Sequence, residues 1–416
     1  MKLLLKSATI LDAKSDYHRK TVDILIENGV IKKIAQGIKT KPDQTISFKN
    51  LHVSRGWFDS SVSFGEPGFE ERETLANGLD TAAKSGFTSV ALNPETYPVL
   101  DNSGAISSVK SKAEKHPVSL FPVGALTVKA EGVDLAELYD MQQAGAISFG
   151  DYKKSVTNPN LLKLALQYTQ NFDALVQSFP QENRIATNGL VNEHHQSTML
   201  GLKGIPNLAE ELQITRDLYL LEYTGGKLHI PTISTEKSVK LIKDAKRKGL
   251  DVTCSVAIHN LLLTDELLNE FDTNAKLLPP LRTKKDSKAL INGLKDGTID
   301  MVTSDHMPID TEHKKVEFDN ALFGSIGLES AFGALNTIFT PEESIDFLTR
   351  GKERFKINNT EITEGNPANL SLFEVEEDYT FGPEHILSTS KNSIFLGKKM
   401  KGKALGIVTE KGSRTV

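Results

Sequence analysis

The chain has 416 residues, of which 38% are hydrophobic and 25% charged, so its composition lies near the globular average. This composition excludes disordered, collagenous and coiled-coil proteins, and the length allows about two to four domains or one large barrel with a smaller module. The formal net charge of −5 lacks the basic excess of a non-specific nucleic-acid binder, so we expect no nucleic-acid partner.

The number of cysteines and the length of the apolar runs indicate in which cellular compartment the protein is expected. Cys254 is the only cysteine, which excludes an internal disulfide and any cysteine-based zinc or iron–sulfur site, because each needs several thiolates. Lys6 breaks the apolar run at the N-terminus, leaving it short of a signal peptide. No stretch approaches the roughly 18 apolar residues of a membrane span. We therefore expect a cytoplasmic protein without a membrane partner.

The N-terminal region is predicted to be antiparallel β-structure. Residues 2–11 alternate between apolar and polar positions and include β-branched residues. Residues 22–27 and 30–34 are further apolar runs that flank Asn28-Gly29, a strong hairpin turn signal.

From about Val53 onwards, short apolar runs alternate with helix-period segments of about 10–15 residues, which is typical of repeated βα units. Eight such units predict an α/β fold, a (β/α)₈ TIM-like barrel over residues 53–364, with the active site at the carboxyl ends of the strands. The predicted strands are the segment around Trp57-Phe58-Asp59, Thr88–Leu92, Val118–Val123, Ala146–Phe149, Ala174–Gln177, Lys227–Ile230, Val252–Val256 and Met301–Thr303.

After residue 365 short alternating runs return, at 371–373, 393–396 and 404–408. We expect these strands to rejoin the N-terminal hairpin. Residues 1–52 and 365–416 are thus predicted to form one small composite β-sandwich module beside the barrel.

Several motifs keep a fixed order along nearly the whole chain. They are Gly65–Glu70 after the first barrel strand, Asn93–Pro98 after the second, Glu211–Asp217, Thr224-Gly225-Gly226, Pro279–Arg282, Thr303–His306, Ser390–Ser393 and Lys401-Gly402-Lys403. Together they resemble the dihydroorotase, hydantoinase and allantoinase group of the amidohydrolase superfamily, and dihydroorotase most of all. The resemblance implies one or two divalent ions that generate hydroxide for attack on a cyclic amide, with an aspartate after the eighth strand moving the proton.

The positions that this resemblance assigns to metal ligands carry other residues. Ser61 and Ser63 stand where the family has two histidines, and Gln177 and Thr232 each stand where it has one more. At the fourth strand the chain retains an acidic residue, Asp151. Hydroxyls and carboxamides are poor zinc ligands compared with imidazole, thiolate or carboxylate. We therefore predict a degenerate site that binds no metal tightly.

Asp305 corresponds to the proton-transferring aspartate of the family. Without a metal-bound hydroxide it is predicted to be vestigial, whereas in an active enzyme it would remain the proton shuttle.

The residues that would bind substrate have also changed. Gly65 stands where the family has an arginine, and Glu95 and Leu278 stand where it has asparagines. Loss of a cation and gain of Glu95 make an anionic substrate a poor ligand. The predicted pocket also includes Asp59, His259, which is either structural or part of the pocket wall, and His306, which is expected to pack beside the site.

Three functions are left open. The first is a catalytically degenerate homologue with a structural or regulatory role, for which the resemblance implies aspartate carbamoyltransferase of pyrimidine biosynthesis as a partner. The second is an active cyclic-amide hydrolase, converting carbamoyl-aspartate to dihydroorotate, with zinc bound by Asp59, Asp151 and Asp305 and with His259 or His306 as a further candidate ligand. The third is a small-molecule sensor. Of these, only the active hydrolase needs a cofactor, which would be zinc. The resemblance also implies that the chain forms a homodimer.

Overall fold

The structure, a computed structural model, describes the backbone of residues 2–416 and their side chains except those of residues 269 and 270. Two eight-stranded β-sheets organise the chain, joined to one small two-stranded sheet. The first large sheet begins with five N-terminal strands, β1 (Lys2–Ile10), β2 (Thr21–Glu27), β3 (Val30–Ala35), β4 (Gln44–Ile46) and β5 (His52–Arg55). Glu27 pairs with Val30 across Asn28-Gly29, so the predicted hairpin is confirmed.

The second large sheet is the predicted barrel, in which neighbouring strands are parallel and follow one another in chain order. A parallel bridge between Val62 and His306 joins its first and last strands and closes the barrel. The strands are β6 (Trp57–Val62), β7 (Phe87–Leu92), β8 (Ser119–Gly124), β9 (Ser148–Phe149), β10 (Val176–Gln177), then the separate pair β11 (Val191–Asn192) and β12 (Gly204–Ile205), then β13 (Leu228–Ile230), β14 (Val252–Ala257) and β15 (Met301–Thr303).

Helices fill the connections between these strands and cover the barrel. They are α1 (Leu75–Lys84), α2 (Ser103–Ala113), α3 (Leu138–Ala144), α4 (Pro159–Thr169), α5 (Asn183–Ala186), α6 (His195–Leu200), α7 (Asn207–Thr224), α8 (Glu236–Arg247), α9 (Ile258–Leu262), α10 (Lys284–Lys295), α11 (Thr311–Lys314), α12 (Ala331–Ile338), α13 (Pro341–Thr349) and α14 (Gly351–Arg354), with 3₁₀ turns at Val128–Ala130, Gln170–Phe172, Asp265–Glu270, Thr273–Ala275 and Pro383–His385. Within the described part of the chain, none of the helices combines the length and apolar content that a membrane crossing requires.

Three C-terminal strands complete the first sheet: β16 (Asn369–Thr380), β17 (Lys399–Thr409) and β18 (Gly412–Thr415). β16 pairs with β5, which joins the two chain ends in one sheet of order β18-β17-β16-β5-β1-β2-β3, with β4 beside β1. The α/β barrel with a β-rich terminal module is thus confirmed, whereas the domain boundaries after residues 52 and 364 remain predictions.

One predicted strand is wrong. Residues 394–397 form a turn instead, in which the backbone N–H of Ile394 donates to the Ser325 hydroxyl at 3.0 Å. Ile394 and Phe395 are nevertheless buried in the main apolar core. Their apolar character therefore reflects burial of the turn. Over so few residues, the pattern of a buried turn cannot be distinguished from that of a strand.

An aromatic cluster joins the barrel to the terminal module. The Trp57 ring of β6 stacks on Phe332 of α12, with centroids 4.9 Å apart, and lies 5.3 Å from Phe373 of β16. All three side chains are buried, and the Trp57 indole N–H donates to the Ser54 hydroxyl at 2.9 Å. The two sheets are therefore joined by apolar packing as well as by the chain connections.

Lys352 on α14 is a buried cation in this structure. It is 0% exposed, and its ammonium has no hydrogen-bond partner among the described residues. Burial lowers the pKa of Lys352 to about 7, and the nearby charge of Arg55 adds to this effect.

We expect the substitution Lys352→Met to raise the free energy of unfolding by roughly 2–4 kcal/mol below about pH 7. An unfolded lysine has a pKa of about 10.4, so between about pH 7 and 10 the unfolded state binds more protons and wild-type stability rises with pH. The gain from the substitution should therefore shrink towards pH 10. Chemical denaturation followed by circular dichroism, at a pH below about 7 and at about pH 10, measures the difference in free energy of unfolding between the variant and the wild type. The exposed Lys49→Met is the control. A gain independent of pH would contradict this account.

Candidate functional site

The carboxyl ends of the barrel strands bring four of the predicted metal-ligand and catalytic positions together. Ser61, Gln177, Thr232 and Asp305 line one cavity of about 10 Å³. The remaining residues around it are Asn93, Gly150, Tyr152, Lys153, Phe179 and Pro231. A cavity of this volume holds about one water molecule. The expected positions therefore converge, but other side chains fill most of the space between them.

Lys153 supplies a positive charge at this point. Its ammonium lies 2.9 Å from Oδ2 of Asp305, and the two side chains are 10% and 2% exposed respectively. The Tyr152 hydroxyl donates to Oδ1 of the same carboxylate at 3.4 Å. Asp305 itself has a positive φ of 50°, and its backbone N–H donates to the Thr303 hydroxyl at 3.1 Å. The buried carboxylate is thus neutralised by a side chain of the same protein.

The pKa values at this centre follow from burial and from these contacts. Burial raises the pKa of Asp305, while the charge of Lys153 and the hydrogen bonds from Lys153 and Tyr152 oppose that rise. Burial, followed by the negative charges of Asp305 and Glu95, raises the pKa of Tyr152 well above its usual value. The phenol therefore keeps its proton and remains a hydrogen-bond donor.

Three of the four side chains at the positions that the resemblance assigns to imidazole ligands, those of Ser61, Ser63 and Gln177, are hydrogen-bonded to other protein groups. The side-chain amide of Asn93 donates to the hydroxyl oxygens of Ser61 at 3.1 Å and Ser63 at 3.2 Å. Gln177 donates to the Ser148 hydroxyl at 2.8 Å. Thr232 has a φ of 48°, which is uncommon for a β-branched residue. These side chains form a hydrogen-bonded lining, with no imidazole among them.

The other two acidic residues also have partners within the barrel. Asp59 accepts hydrogen bonds from the Thr303 hydroxyl and from the backbone N–H groups of Ser61, at 3.0 Å, and Ser304, at 2.9 Å. Asp151 accepts from the backbone N–H and hydroxyl of Thr127, at 3.0 and 2.6 Å. Burial raises the pKa of both carboxyl groups, and these hydrogen bonds oppose the rise. Both carboxylates therefore connect barrel elements.

The donors present do not fit the divalent ion that the resemblance implies. A catalytic zinc usually has three protein ligands that include imidazole. Among the described residues, no group of three histidine, cysteine, aspartate or glutamate side chains lies close enough to hold a metal ion. The one carboxylate at the small cavity, Asp305, is already paired with the Lys153 ammonium.

The two histidines near the site are buried and uncharged. Burial lowers the pKa of His259 to about 3, with a smaller effect of Lys153, and lowers that of His306 to about 4. Nδ1 of His306 accepts from the backbone N–H groups of Gly327 and Leu328, at 3.2 and 3.4 Å. Like Asp59, neither histidine lines the small cavity or the larger pocket described next.

A larger pocket of about 480 Å³ opens beside the small cavity and shares Tyr152 and Lys153 with it. Its wall is largely apolar, and the predicted residues Glu95, Leu278 and Asp151 line it. Desolvation by the surrounding protein raises the pKa of Glu95, although the positive charges of Lys153 and Arg72 oppose the rise. The remaining residues of the wall are Phe69, Pro94, Thr96, Val99, Ala130, Lys154, Met307, Leu322 and Phe323.

Gly65 lies outside the wall of this pocket. A Cβ atom at this buried position would lie 1.8 Å from the carbonyl oxygen of Phe69, so the loop requires glycine for this close backbone approach. Arg72, seven residues further on, lines the pocket, but its guanidinium lies 3.3 Å from Asp310 and over the Phe69 ring. The local loop therefore has no space for the arginine that the resemblance predicts at position 65.

Sequence reasoning did not identify Arg72, Asn93, Tyr152 or Lys153 as site residues. For the last two a signal was present, because Tyr152 and Lys153 directly follow Asp151 at the end of the fourth strand, where barrels carry functional side chains. The pairing of Lys153 with Asp305 across 152 positions has no local sequence signal.

Comparisons with known proteins agree with this architecture. Residues 52–238 match the family described as Dihydro-orotase-like. The chain is 39% identical over 410 residues to a dihydroorotase of Ruminiclostridium cellulolyticum, covering 97% of this chain and 96% of the relative. It is 36% identical over 409 residues to a dihydroorotase of Thermoanaerobacter sp., covering 97% and 94%.

Solved structures show the same fold at lower identity. An L-hydantoinase from Arthrobacter aurescens superposes with a TM-score of 0.83 at 21% identity, covering 100% of this chain and 97% of that one. A D-hydantoinase from Thermus sp. gives a TM-score of 0.82 at 19% identity, covering 99% and 94%. At this level of identity the likeness concerns the fold alone.

The Lys153–Asp305 pair predicts a double-mutant cycle. Lys153→Met leaves a buried carboxylate unpaired and should lower the free energy of unfolding by roughly 3–5 kcal/mol. Adding Asp305→Asn removes the remaining charge and should recover most of that loss, and Lys154→Met, on the neighbouring exposed lysine, is the control. Chemical denaturation of the wild type, Lys153→Met, Asp305→Asn and the double variant measures the coupling. Additive losses would show that the two charges do not stabilise each other.

Proposed function

The chain belongs to the dihydroorotase family, and we propose that it is a member that has lost metal-dependent hydrolysis and has a structural or regulatory role in pyrimidine biosynthesis. The observation that carries this proposal is the Lys153 ammonium on Asp305, within a cavity otherwise lined by hydroxyl, amide and apolar groups. The proposal also rests on the full-length similarity to dihydroorotases.

An ammonium group cannot replace the chemistry of a divalent ion. A catalytic ion accepts a lone pair from water and lowers the pKa of that water from about 15.7 to about 7. The Lys153 ammonium has no vacant orbital and can only donate hydrogen bonds. It therefore balances the charge of Asp305, whose carboxylate remains paired and buried, but it does not generate the hydroxide that the family's reaction needs.

The pocket also lacks an evident site for an anionic substrate. Glu95 brings a negative charge to its wall, and Arg72 is paired with Asp310. A carboxylate ligand would meet repulsion from the first residue and competition for the second. Dihydroorotate and carbamoyl-aspartate are therefore expected to bind weakly.

A structural or regulatory role accounts for a complete scaffold whose site does not suit the family's chemistry. The barrel and the terminal module are both complete, and function depends on sites that a fold can lose while its packing persists. As the partner we propose aspartate carbamoyltransferase, which the family resemblance implies. The free, buried thiol of Cys254 suits a reducing cytoplasm.

We expect the purified protein, supplied with zinc or manganese, to cyclise carbamoyl-aspartate at least roughly a thousandfold more slowly than an active relative, because no Lewis acid activates water. The dihydroorotase of Ruminiclostridium cellulolyticum is a suitable positive control. Product formation and metal content per chain are measured together. Turnover that Asp305→Asn abolishes would instead establish an active hydrolase.

A rebuilt site provides the matched control. The variant Ser61→His/Ser63→His/Gln177→His/Thr232→His/Lys153→Ala should bind at least about one zinc per chain, since imidazoles return and the ammonium is removed. Lys153→Ala alone should bind none. Zinc binding by the wild-type chain equal to that of the rebuilt variant would show that the present side chains suffice.

We also expect the tagged chain to co-purify with the aspartate carbamoyltransferase of its own cell under gentle conditions. The relative from Ruminiclostridium cellulolyticum, expressed in the same cell, controls for binding common to all dihydroorotases. Mass spectrometry of the eluate identifies the partner, and its absence from repeated preparations would refute this part of the proposal.

A further inference from the structure

Glu95 brings to the larger pocket a carboxylate that has no ion pair or hydrogen bond among the described residues. The residue is open to solvent through the pocket, yet enough protein surrounds it for desolvation to raise the pKa of its carboxyl group. The positive charges of Lys153, Arg72 and Lys154 act on it without a hydrogen bond. A carboxylate in these surroundings is stabilised by any cation that comes into contact with it.

Two of the cations on the same wall are already paired with other carboxylates. The Arg72 guanidinium lies 3.3 Å from Oδ2 of Asp310, and the Lys153 ammonium lies 2.9 Å from Oδ2 of Asp305. If Lys153 turned towards Glu95, the buried Asp305 would lose its partner in an interior that solvates it poorly. Neither cation is therefore free to neutralise Glu95.

The remaining charges of the wall leave an excess of one carboxylate. Asp151 accepts hydrogen bonds from the backbone N–H and the hydroxyl of Thr127, at 3.0 and 2.6 Å. Lys154 is exposed and acts on Asp151 and Glu95 through its charge alone. Two carboxylates thus share the field of one ammonium at the pocket mouth. A further positive charge is attracted to this pocket, whereas a further negative charge is not.

The loop that carries Glu95 is held on both sides. The backbone N–H of Thr96 donates to the Pro94 carbonyl at 2.8 Å, and the Thr96 hydroxyl donates to the Pro98 carbonyl at 2.7 Å. The backbone N–H of Tyr97 donates to the Pro67 carbonyl at 2.9 Å, which joins this loop to the one after β6. The backbone of Glu95 is therefore positioned before a ligand binds, and little ordering opposes binding.

The rest of the pocket suits an apolar group of limited size. Its volume of about 480 Å³ lies within the range of about 300–1,000 Å³ that is typical of small-molecule sites. Phe69, Tyr152 and Phe323 contribute aromatic rings to the wall, and Leu278 and Met307 contribute aliphatic surface. Such a wall buries a ring, and aromatic faces also attract cations.

We propose that this pocket binds a small organic cation, an amine or amidine that carries an apolar ring, with the positive group on Glu95. The proposal rests on the proposed function, since a pocket that held the family's anionic substrate would not be free for a cation, and it names the class of ligand that a regulatory role would use. An uncharged ring would leave Glu95 unpaired, and an anion would be repelled by it. A cation forms a charge-assisted hydrogen bond there.

Phenethylamine, a primary ammonium group on a short chain with one ring, is a suitable probe. It has about nine non-hydrogen atoms, so we expect it to bind the metal-free protein with a Kd on the order of 1 mM. Phenethyl alcohol and hydrocinnamate have the same ring and a similar length without the positive charge. Both should bind at least roughly tenfold more weakly. Saturation-transfer NMR during a ligand titration measures the three affinities.

Two variants test the position of the positive group. Glu95→Gln keeps the shape of the side chain and should weaken phenethylamine binding at least roughly tenfold, because the charge-assisted hydrogen bond is lost. Lys154→Met removes a like charge from the mouth and should strengthen binding roughly twofold to threefold. Glu361→Gln, at an exposed glutamate between α14 and β16, is the matched control and should have no effect. Circular dichroism and the thermal midpoint establish that the variants fold.

Four results would overturn the proposal. The first three are absence of phenethylamine binding up to about 20 mM, equal binding of phenethyl alcohol, and unchanged affinity in Glu95→Gln. The fourth is weaker binding of phenylalanine's decarboxylated analogue, phenethylamine, than of phenylalanine itself together with a loss of affinity in Lys154→Met. That result would assign the pocket to a zwitterion held by both charges.

The outcome for this ligand class is separable from the outcome for the proposed function. Binding is measured without metal and without turnover, whereas cyclisation of carbamoyl-aspartate is measured in a separate assay. A chain without turnover that does not bind phenethylamine would refute the cation site alone. Turnover together with phenethylamine binding that depends on Glu95 would refute the proposed function and support the cation site.

Discussion

The charge of Asp305 is the constraint on which the centre of this barrel depends. A carboxylate that is 2% exposed must have a compensating charge or accept a proton, because the interior solvates it poorly. Here the ammonium of Lys153 compensates it, and Tyr152 donates a further hydrogen bond. Once a side chain has this role, Ser61, Gln177 and Thr232 need only complete a neutral lining, and the cavity between them shrinks to about the size of a water molecule.

The acidic residues Asp59 and Asp151 are explained by the hydrogen-bond donors around them. Asp59 bonds to its own strand β6 and to residues at and just beyond the end of β15, which lie on either side of the barrel closure. Asp151 bonds to Thr127 beyond the end of β8. Each carboxylate satisfies backbone and hydroxyl donors that would otherwise be buried without partners. Their presence therefore has a structural cause that is independent of catalysis.

Sequence reasoning identified the barrel strands because each is a short apolar run followed by a helical period. It misassigned residues 393–396, where a buried turn has the same local pattern as a strand. It selected Ser61 and Gln177 as site positions through their place along the chain, and both line the small cavity, but it could not show what fills the space between them. The contact of Lys153 with Asp305 depends on how strands four and eight face each other, and the close approach at Gly65 depends on the path of one loop.

The pairing of β5 with β16 has a consequence for the order in which the protein is made. β5 ends at Arg55 and leaves the ribosome early, whereas its neighbour β16 begins only at Asn369, after the whole barrel has been synthesised. Until then the edge of β5 that β16 will cover has unpaired backbone groups, and Trp57 lacks Phe373 as a neighbour. During translation the barrel is therefore bounded by an incomplete sheet, a state in which exposed strand edges favour aggregation and in which a chaperone would find its binding site.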